Sequence, residues 1–481
     1  MHILLVHPPC RTATIIPLGL GYIASALREN GHKVSLMDLN FENKSFSAIE
    51  KDLARLEYDI IGIGGLSTTY NFVKDFSNLA KKIKPKVKII AGNMVSTASP
   101  ELLLQNSQVD ICVINEGEET LKELVYRIKN FPDIEGVKGI VFKKNEQIIV
   151  TNPRERIKNL DKLPLPAWDL FSMEYYVNEP ILNEYGRKSI SVSTARGCPF
   201  QCIYCSRPFG SLVYKRSVEN IIAEIKTLIK RYKIKFVAFS DNLFVMDKNW
   251  VREFCDALLR EKIKIGWTAS ARLNLVDMPL LRKMKKAGCE ALGYGFESGS
   301  QKILDNMKKG INVAQAERAV ALTRKAGISV DGSFMIGMIG ETKETVNESV
   351  DFIKRTGLTL HRFFYTTPYP KTALYEMARK MNRIPDDEDK YVGSLGEMYN
   401  TPLVNLTDMT DEELKSLKEK AERKIRENFS LRTRMEILHE DLRRISANIK
   451  KRIKTKGILA TLSWSLGKIS QRLKIKERIR H

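Results

Sequence analysis

Through residue 150, short β-branched runs alternate with stretches of helical periodicity. The runs are HILLV from His2, KVSLMD from Lys33, DIIGIG from Asp59, VKIIAG from Val87, DICVIN from Asp110 and GIVFKK from Gly139, and helix-like stretches begin near Leu18, Ser45, Asn71, Pro100 and Glu118. This alternation predicts an α/β domain over residues 1–150, a doubly wound parallel sheet with helices on both faces. Ligands on such sheets bind beyond the carboxyl ends of the strands, where the strand order reverses. Residues 7–9, 64–69, 92–95 and 115–118 are therefore expected to line one crevice.

Residues 151–188 read as a linker, because Pro153, Pro164, Pro166 and Pro180 prevent a long helix. A second alternating region follows, and its domain is expected to span 189–400. Its strand candidates are SISVSTA, FVAFSD, IGWTASA, ALGYGFE, SVDGSFMIG and HRFFYTT. Six strand and helix repeats predict a partial (β/α)6 barrel whose chemistry lies at the carboxyl ends of its strands. Those ends carry Arg196, Asp241, Arg272, Glu297, Glu341 and Thr366. Residues 401–481 form a helical C-terminal region. Leu431, Met435, Leu438, Leu442, Ile445 and Ile449, then Leu459, Leu462, Leu466, Ile469 and Leu473, mark two amphipathic helices with basic polar faces.

At 481 residues, 43% hydrophobic and 28% charged, the chain can bury several cores, which excludes a disordered tail or a disulfide miniprotein. The net charge of +22 is unevenly placed: residues 443–481 hold thirteen Lys or Arg against one acid, Glu477. Such a tail can lie on an anionic membrane surface, pack on the barrel or a second copy, or bind RNA. Its one aromatic from Arg443 onward, Trp464, offers little base stacking, so nucleic acid is the least favoured partner. The first apolar run is too short for a signal peptide, and nowhere do about 18 apolar residues run together, so membrane contact is expected to be peripheral. Seven cysteines, three of them within eight residues, fit a metal site in a reduced, cytoplasmic compartment. Cys10, Cys112, Cys255 and Cys289 are scattered and read as small buried hydrophobes.

The segment TARGCPFQCIYCSRP places Cys198, Cys202 and Cys205 in a C-x3-C-x2-C array after a predicted strand. Three clustered thiolates can hold three irons of a cubane and leave the fourth open. A structural zinc site would want a fourth ligand, and no His lies nearby. The segment resembles the radical S-adenosylmethionine (SAM) superfamily over roughly residues 189–400. That resemblance implies a [4Fe-4S] cluster whose open iron binds SAM, reductive cleavage to a 5′-deoxyadenosyl radical, and an electron donor such as ferredoxin or flavodoxin. It also implies that the backbone around Tyr204 faces the adenine. Ser240 and Asp241 would lie near the methionyl amine, Arg272 near its carboxylate, and Glu297 and Ser298 near the ribose. The strand from Met335 to Glu341 would flank the adenine. The run YPKT from Tyr369 departs from the usual Pro-Gly-Thr turn, with Lys371 in the glycine's place.

The first 150 residues resemble the cobalamin-binding domain that precedes many of these barrels. The matching pieces are PLGLGYIASALRENGHKV from Pro17, GLSTTY from Gly65, AGN from Ala91 and NEGEET from Asn115. The resemblance implies cobalamin contacts from Leu18, Gly19, Ser67, Thr68, Thr69, Gly92, Asn93, Glu116 and Gly117. Asn93 stands where a second glycine is usual, and Asn tolerates positive φ better than most residues. There is no Asp-x-His-x-x-Gly segment, so no histidine is expected to ligate cobalt from below, and His7 is expected to cap or pack. The pairing of domains resembles the class B radical SAM methyltransferases, implying methylation of an unactivated carbon; the tail points to a hydrophobic or lipid substrate. Two alternatives stand beside it: ring closure or carbon–carbon coupling of an isoprenoid or tetrapyrrole without methyl transfer, and a noncatalytic cobalamin- or partner-binding protein.

Overall fold

Seven strands form the first sheet: β1 (His2–His7), β2 (Lys33–Asp38), β3 (Ile60–Gly64), β4 (Lys88–Gly92), β5 (Ile111–Val113), β6 (Ile140–Lys144) and β7 (Gln147–Val150). The computed structural model describes residues 1–9, 16–178, 187–359, 362–397, 402–427 and 429. The strand order is β2-β1-β3-β4-β5-β6-β7, and β1 to β5 pair in parallel. Their apolar runs are buried on both faces, as a sheet with helices on each side requires. The order reverses between β1 and β3, which places the switch point at the residues expected to open the crevice. Helices Leu18–Glu29, Phe46–Arg55, Tyr70–Ile83, Pro100–Asn106 and Glu118–Arg127 start where the sequence pattern places them.

The sheet is not parallel throughout. Strand β6 runs antiparallel to β5, and β7, which the pattern of residues did not announce, runs antiparallel to β6. The reversal is at Asn145 and Glu146, with φ of +49° and +63°. A two-residue hairpin turn of this hand needs both central residues left-handed, which the Asn tolerates readily.

The second sheet contains β8 (Ser189–Val192), β11 (Phe236–Phe239), β12 (Gly266–Ala271), β13 (Cys289–Glu297), β14 (Ser329–Ile336) and β15 (Phe364–Tyr365), paired in chain order and all in parallel. It is the expected six-stranded partial barrel. A short antiparallel ribbon, β9 (Ala195–Arg196) with β10 (Tyr214–Lys215), brackets the cysteine segment. Phe239, Phe244, Trp250, Phe254 and Trp267 pack one side of the sheet, with ring centroids 4.7–5.8 Å apart.

The linker is mortar between the domains. Ala167 N donates to Gly21 O at 3.0 Å and Ser25 Oγ to Leu165 O at 2.6 Å, while Trp168 is buried in the barrel's core. The prolines that forbid a long helix leave this segment extended enough to follow the first helix. Beyond the barrel, helix Glu388–Ser394 returns to the N-terminal domain: Tyr70 OH donates to Asp389 Oδ1 at 2.6 Å and Asn71 Nδ2 to Gly393 O at 3.0 Å. Nothing in the local periodicity announces this return. The periodic segment from Leu431 to Leu473 lies outside the described residues, as do Cys10 and Pro180. Among the described residues no helix is long and apolar enough to cross a membrane.

Candidate functional site: a cysteine loop facing the first sheet

Cys198, Cys202 and Cys205 follow β9 in a loop held by its backbone. Cys198 N donates to Gly210 O at 3.1 Å, Cys205 N to Cys202 O at 3.2 Å, and Ile203 N to Met307 O at 3.0 Å. All three thiols are half-buried. Burial pushes the Cys205 thiol up, and the neighbouring Cys202 and Cys198 sulfurs add to the effect, so the three are electrostatic neighbours. Among the described residues no three His, Cys, Asp or Glu side chains could hold a single metal ion. A cubane takes one thiolate per iron, so its ligands need not converge on one point, and the all-thiol donor set fits it. Ile203 packs in the same core as Val6, Ile63 and Val95 of the first domain.

Gly197 makes this loop possible. Its φ is +101°, and a Cβ there would stand 2.0 Å from Leu212 O. Gly197→Ala is expected to destabilise the protein by about 1–3 kcal/mol or more, read as a lower Tm together with reduced iron after reconstitution.

Arg272, at the end of β12, is buried; its Nε has no hydrogen-bond partner and its guanidinium no ion pair among the described residues. Its guanidinium lies 3.6 Å from the Phe200 ring centroid, within the cysteine loop. A buried cation without a counter-ion is costly, and the feature suits an anionic ligand. Asp241 has a different occupation. Its Oδ1 accepts from Thr194 N at 2.7 Å, Ala195 N at 3.0 Å and Ser193 Oγ at 3.1 Å, and Oδ2 accepts from the Thr194 hydroxyl. This carboxylate anchors the approach to the cysteine loop, while the neighbouring Ser240 is exposed.

Glu297 stands in the left-handed region with φ +63° at a register shift of the β13–β14 pairing. Its Oε1 accepts from Lys309 Nζ at 2.9 Å and Tyr204 OH at 3.1 Å, and Lys309 Nζ also reaches Tyr204 OH at 3.0 Å. The Tyr204 phenol is pushed far up by burial and by the Glu297 charge. Sequence reasoning missed Lys309, which sits on a turn with no motif. Ser298 turns away: its hydroxyl bonds Ser349 Oγ at 3.1 Å and accepts from Ser300 N at 3.1 Å. Met335 pairs with Phe364 and is partly buried.

Glu341 is buried, with Oε2 accepting from Gly337 N and from Met338 N at 3.2 Å. Burial raises its pKa from 4.5 to about 7, against those two bonds. The folded state therefore holds a proton that the unfolded state releases, and this stabilising contribution is complete below about pH 4.5 and lost as pH rises to about 7. Glu341→Gln, which keeps an acceptor and removes the charge, is expected to raise Tm at pH 8 relative to the parent and change it little at pH 4.5. An equal shift at both pH values would contradict the assignment.

In the first domain, a Cβ built on Gly19 or Gly92 would meet nothing within 4 Å, so space is open at the first turn of the first helix and at the end of β4. Leu18 opens the first helix, and Asn93 takes φ +64°, the conformation its glycine-like position demands. Ser67 and Thr69 are buried, and Thr69 Oγ1 donates to Leu66 O at 2.8 Å. Thr68 lies beneath the returning segment, its carbonyl 3.0 Å from where a Gly396 Cβ would stand. Gly117 packs on Ile23. Glu116 is committed elsewhere: its carboxylate takes hydrogen bonds from Arg196 Nη1 at 2.8 Å and Ile157 N at 3.0 Å. His7 is packed as expected, with Nδ1 2.9 Å from Asp38 Oδ1. Lys371 adopts φ +63°, so the turn survives without its glycine.

The B12 binding domain profile matches residues 10–125, and the Radical SAM superfamily profile matches residues 192–353. An uncharacterized methyltransferase of Pyrococcus horikoshii is 34% identical over 433 residues, covering 88% of this chain and 91% of that protein. The chain belongs to the cobalamin-binding class of the radical SAM superfamily. The cofactors of this radical SAM enzyme are a [4Fe-4S] cluster and SAM in the barrel and cobalamin in the N-terminal domain. The anaerobic magnesium-protoporphyrin IX monomethyl ester cyclase of Cereibacter sphaeroides is 27% identical, with 80% of this chain and 65% of that protein covered. The same fold is seen in TsrM, a radical SAM methyltransferase from Kitasatospora setae solved with cobalamin and a [4Fe-4S] cluster bound. Its TM-score is 0.67 at 20% identity, covering 80% of this chain and 76% of that one.

Proposed function

We propose that this radical SAM enzyme is a cobalamin-dependent methyltransferase that methylates an unactivated carbon of a hydrophobic or lipid substrate. The observation that carries the reading is the cysteine loop itself: three thiols and an uncompensated buried arginine, packed against a B12-binding domain. When bound, the cluster with SAM supplies a carbon-centred radical, and cobalamin supplies the methyl group. In this assignment Cys198, Cys202 and Cys205 hold three irons, and Arg272 faces the SAM carboxylate. Tyr204, Glu297 and Lys309 form the polar wall beside them. Gly19 and Gly92 leave room for the macrocycle and its tail. Ferredoxin or flavodoxin fits as one-electron donor, and the basic C-terminal segment fits a peripheral site at the inner face of the membrane.

The test is anaerobic purification, reconstitution with iron, sulfide and cobalamin, and quantification of SAM products. Release of both 5′-deoxyadenosine and S-adenosylhomocysteine, with cobalamin retained, is the expected result. Release of 5′-deoxyadenosine alone from a protein that never holds cobalamin overturns it. The similarity to the cyclase favours a second reading, radical ring closure of a tetrapyrrole. Product mass separates the two, because only methylation adds a methylene unit. Flotation with anionic vesicles, lost on removing residues 443–481, tests the membrane surface.

A further inference from the structure

Arg196 lies two residues before Cys198, and its guanidinium is held by the other domain. Nη1 donates to Glu116 Oε1 at 2.8 Å and Nη2 to Glu118 Oε1 at 2.6 Å, with all three side chains at most 8% exposed. The rings of Tyr22, from the first domain, and Phe209, from the cysteine loop, lie 5.5 and 5.2 Å from it. Arg156, from the linker, brings its Nε 3.7 Å from Glu116 Oε2 and donates Nη1 to Leu212 O at 2.6 Å, on the other limb of the same loop. Two arginines and two glutamates thus close a charge-balanced network that grips both limbs of the cysteine loop and ties them to the carboxyl end of β5.

Buried ion pairs return little net stability once desolvation is counted, but removing one partner leaves the other charge stranded. Their use here is register. Arg196 presents a rigid fork to two carboxylates on one short segment, which admits few alternative seatings. Transfer between two cofactor sites is sensitive to misplacements of about 1 Å, and the described ties of the linker to the first helix, Ala167 N to Gly21 O, Ser25 Oγ to Leu165 O and the exposed Arg28–Asp169 pair, do not touch the cysteine loop.

We propose that Arg196 is a positioning residue: through Glu116 and Glu118 it sets where the cysteine loop stands against the cobalamin-binding domain, and so fixes the separation of the two cofactor sites. The second measurement below rests on the proposed cobalamin chemistry; the first does not.

Arg196→Lys keeps the charge and loses the fork, Glu118→Gln keeps the shape and loses the charge, and Glu119→Gln, on the exposed side of the same helix, is the control. In hydrogen exchange on the full chain without cofactors, amides of residues 197–212 are expected to exchange about tenfold faster or more in both variants, with the control unchanged. In the reconstituted protein, iron content and cobalamin uptake should match the parent. The enhanced relaxation that the reduced cluster imposes on the cobalt(II) electron paramagnetic resonance signal should fall, a change that loss of packing alone does not produce at constant occupancy. Parent-like exchange, or parent-like relaxation at full occupancy of both sites, overturns the proposal. Should Glu118→Gln fail to fold, Glu118→Asp, which withdraws the carboxylate by one methylene, takes its place with the same expected result. Should the parent bind no cobalamin, the exchange result alone decides the inference, and the failure falls on the proposed function.

Discussion

Replacing any one of Cys198, Cys202 or Cys205 with alanine is expected to remove the [4Fe-4S] signal and SAM cleavage together, to background, while leaving cobalamin uptake intact. The loop contributes three thiolates and no fourth protein ligand, so each iron it holds depends on one sulfur. Removing that sulfur leaves an iron without a thiolate in a half-buried loop, and among the described residues the cluster has no spare thiol: Cys112, Cys255 and Cys289 are buried in the cores. Those three make the control. Burial pushes the Cys255 thiol up to about 12, so it stays neutral and inert. Cys255→Ala is expected to cost stability, about 1 kcal/mol, and keep full iron. A loop variant that retains the parent's iron and radical yield would end the assignment.

Arg272→Met is expected to have two opposite effects. Without cofactors, the parent buries the Arg272 Nε with no hydrogen-bond partner, and an apolar side chain of similar length removes that cost. Stability should rise by about 1–3 kcal/mol. With SAM, the same change deletes the cation assigned to its carboxylate. The loss of a desolvated charge pair is worth about 2–5 kcal/mol, so the SAM dissociation constant should rise about thirtyfold or more. Calorimetry without SAM and equilibrium dialysis with it check the two halves. Arg272→Lys should recover only part of the affinity, because an ammonium cannot lie flat on the Phe200 ring and present a fork together. Unchanged SAM affinity in Arg272→Met would remove Arg272 from the site.

The elements legible in the sequence are those set by near neighbours. Strands β1 to β5 and the six strands of the barrel are continuous apolar or alternating runs, and each helix start carries a cap or breaker such as Ser45 or Pro100. Strand β7 is not legible because it lies at the sheet edge with no fully buried position, so its run shows neither alternation nor a core-facing side. Asn93 and Lys371 show that a backbone conformation can persist without the residue that prefers it: both hold a positive φ that glycine would take more cheaply.

Side-chain type told less about side-chain partner. Asp241 and Ser298 stand at strand ends in the expected barrel, but their oxygens close turns within the protein. Glu116 stands in the expected motif and serves a domain contact.

The sequence alone determined the two α/β units, the thiol triad with its iron chemistry and the family, because periods of two and 3.6 residues and a spacing of cysteines are properties of contiguous chain. Only the tertiary structure decided which charges meet. Arg196 and Glu118 are 78 residues apart, and Tyr204 and Lys309 are 105 apart. A charged residue carries no local record of a partner that far along the chain; the first pairing exists only once two domains have packed, the second only once the barrel has closed its own strands and loops together.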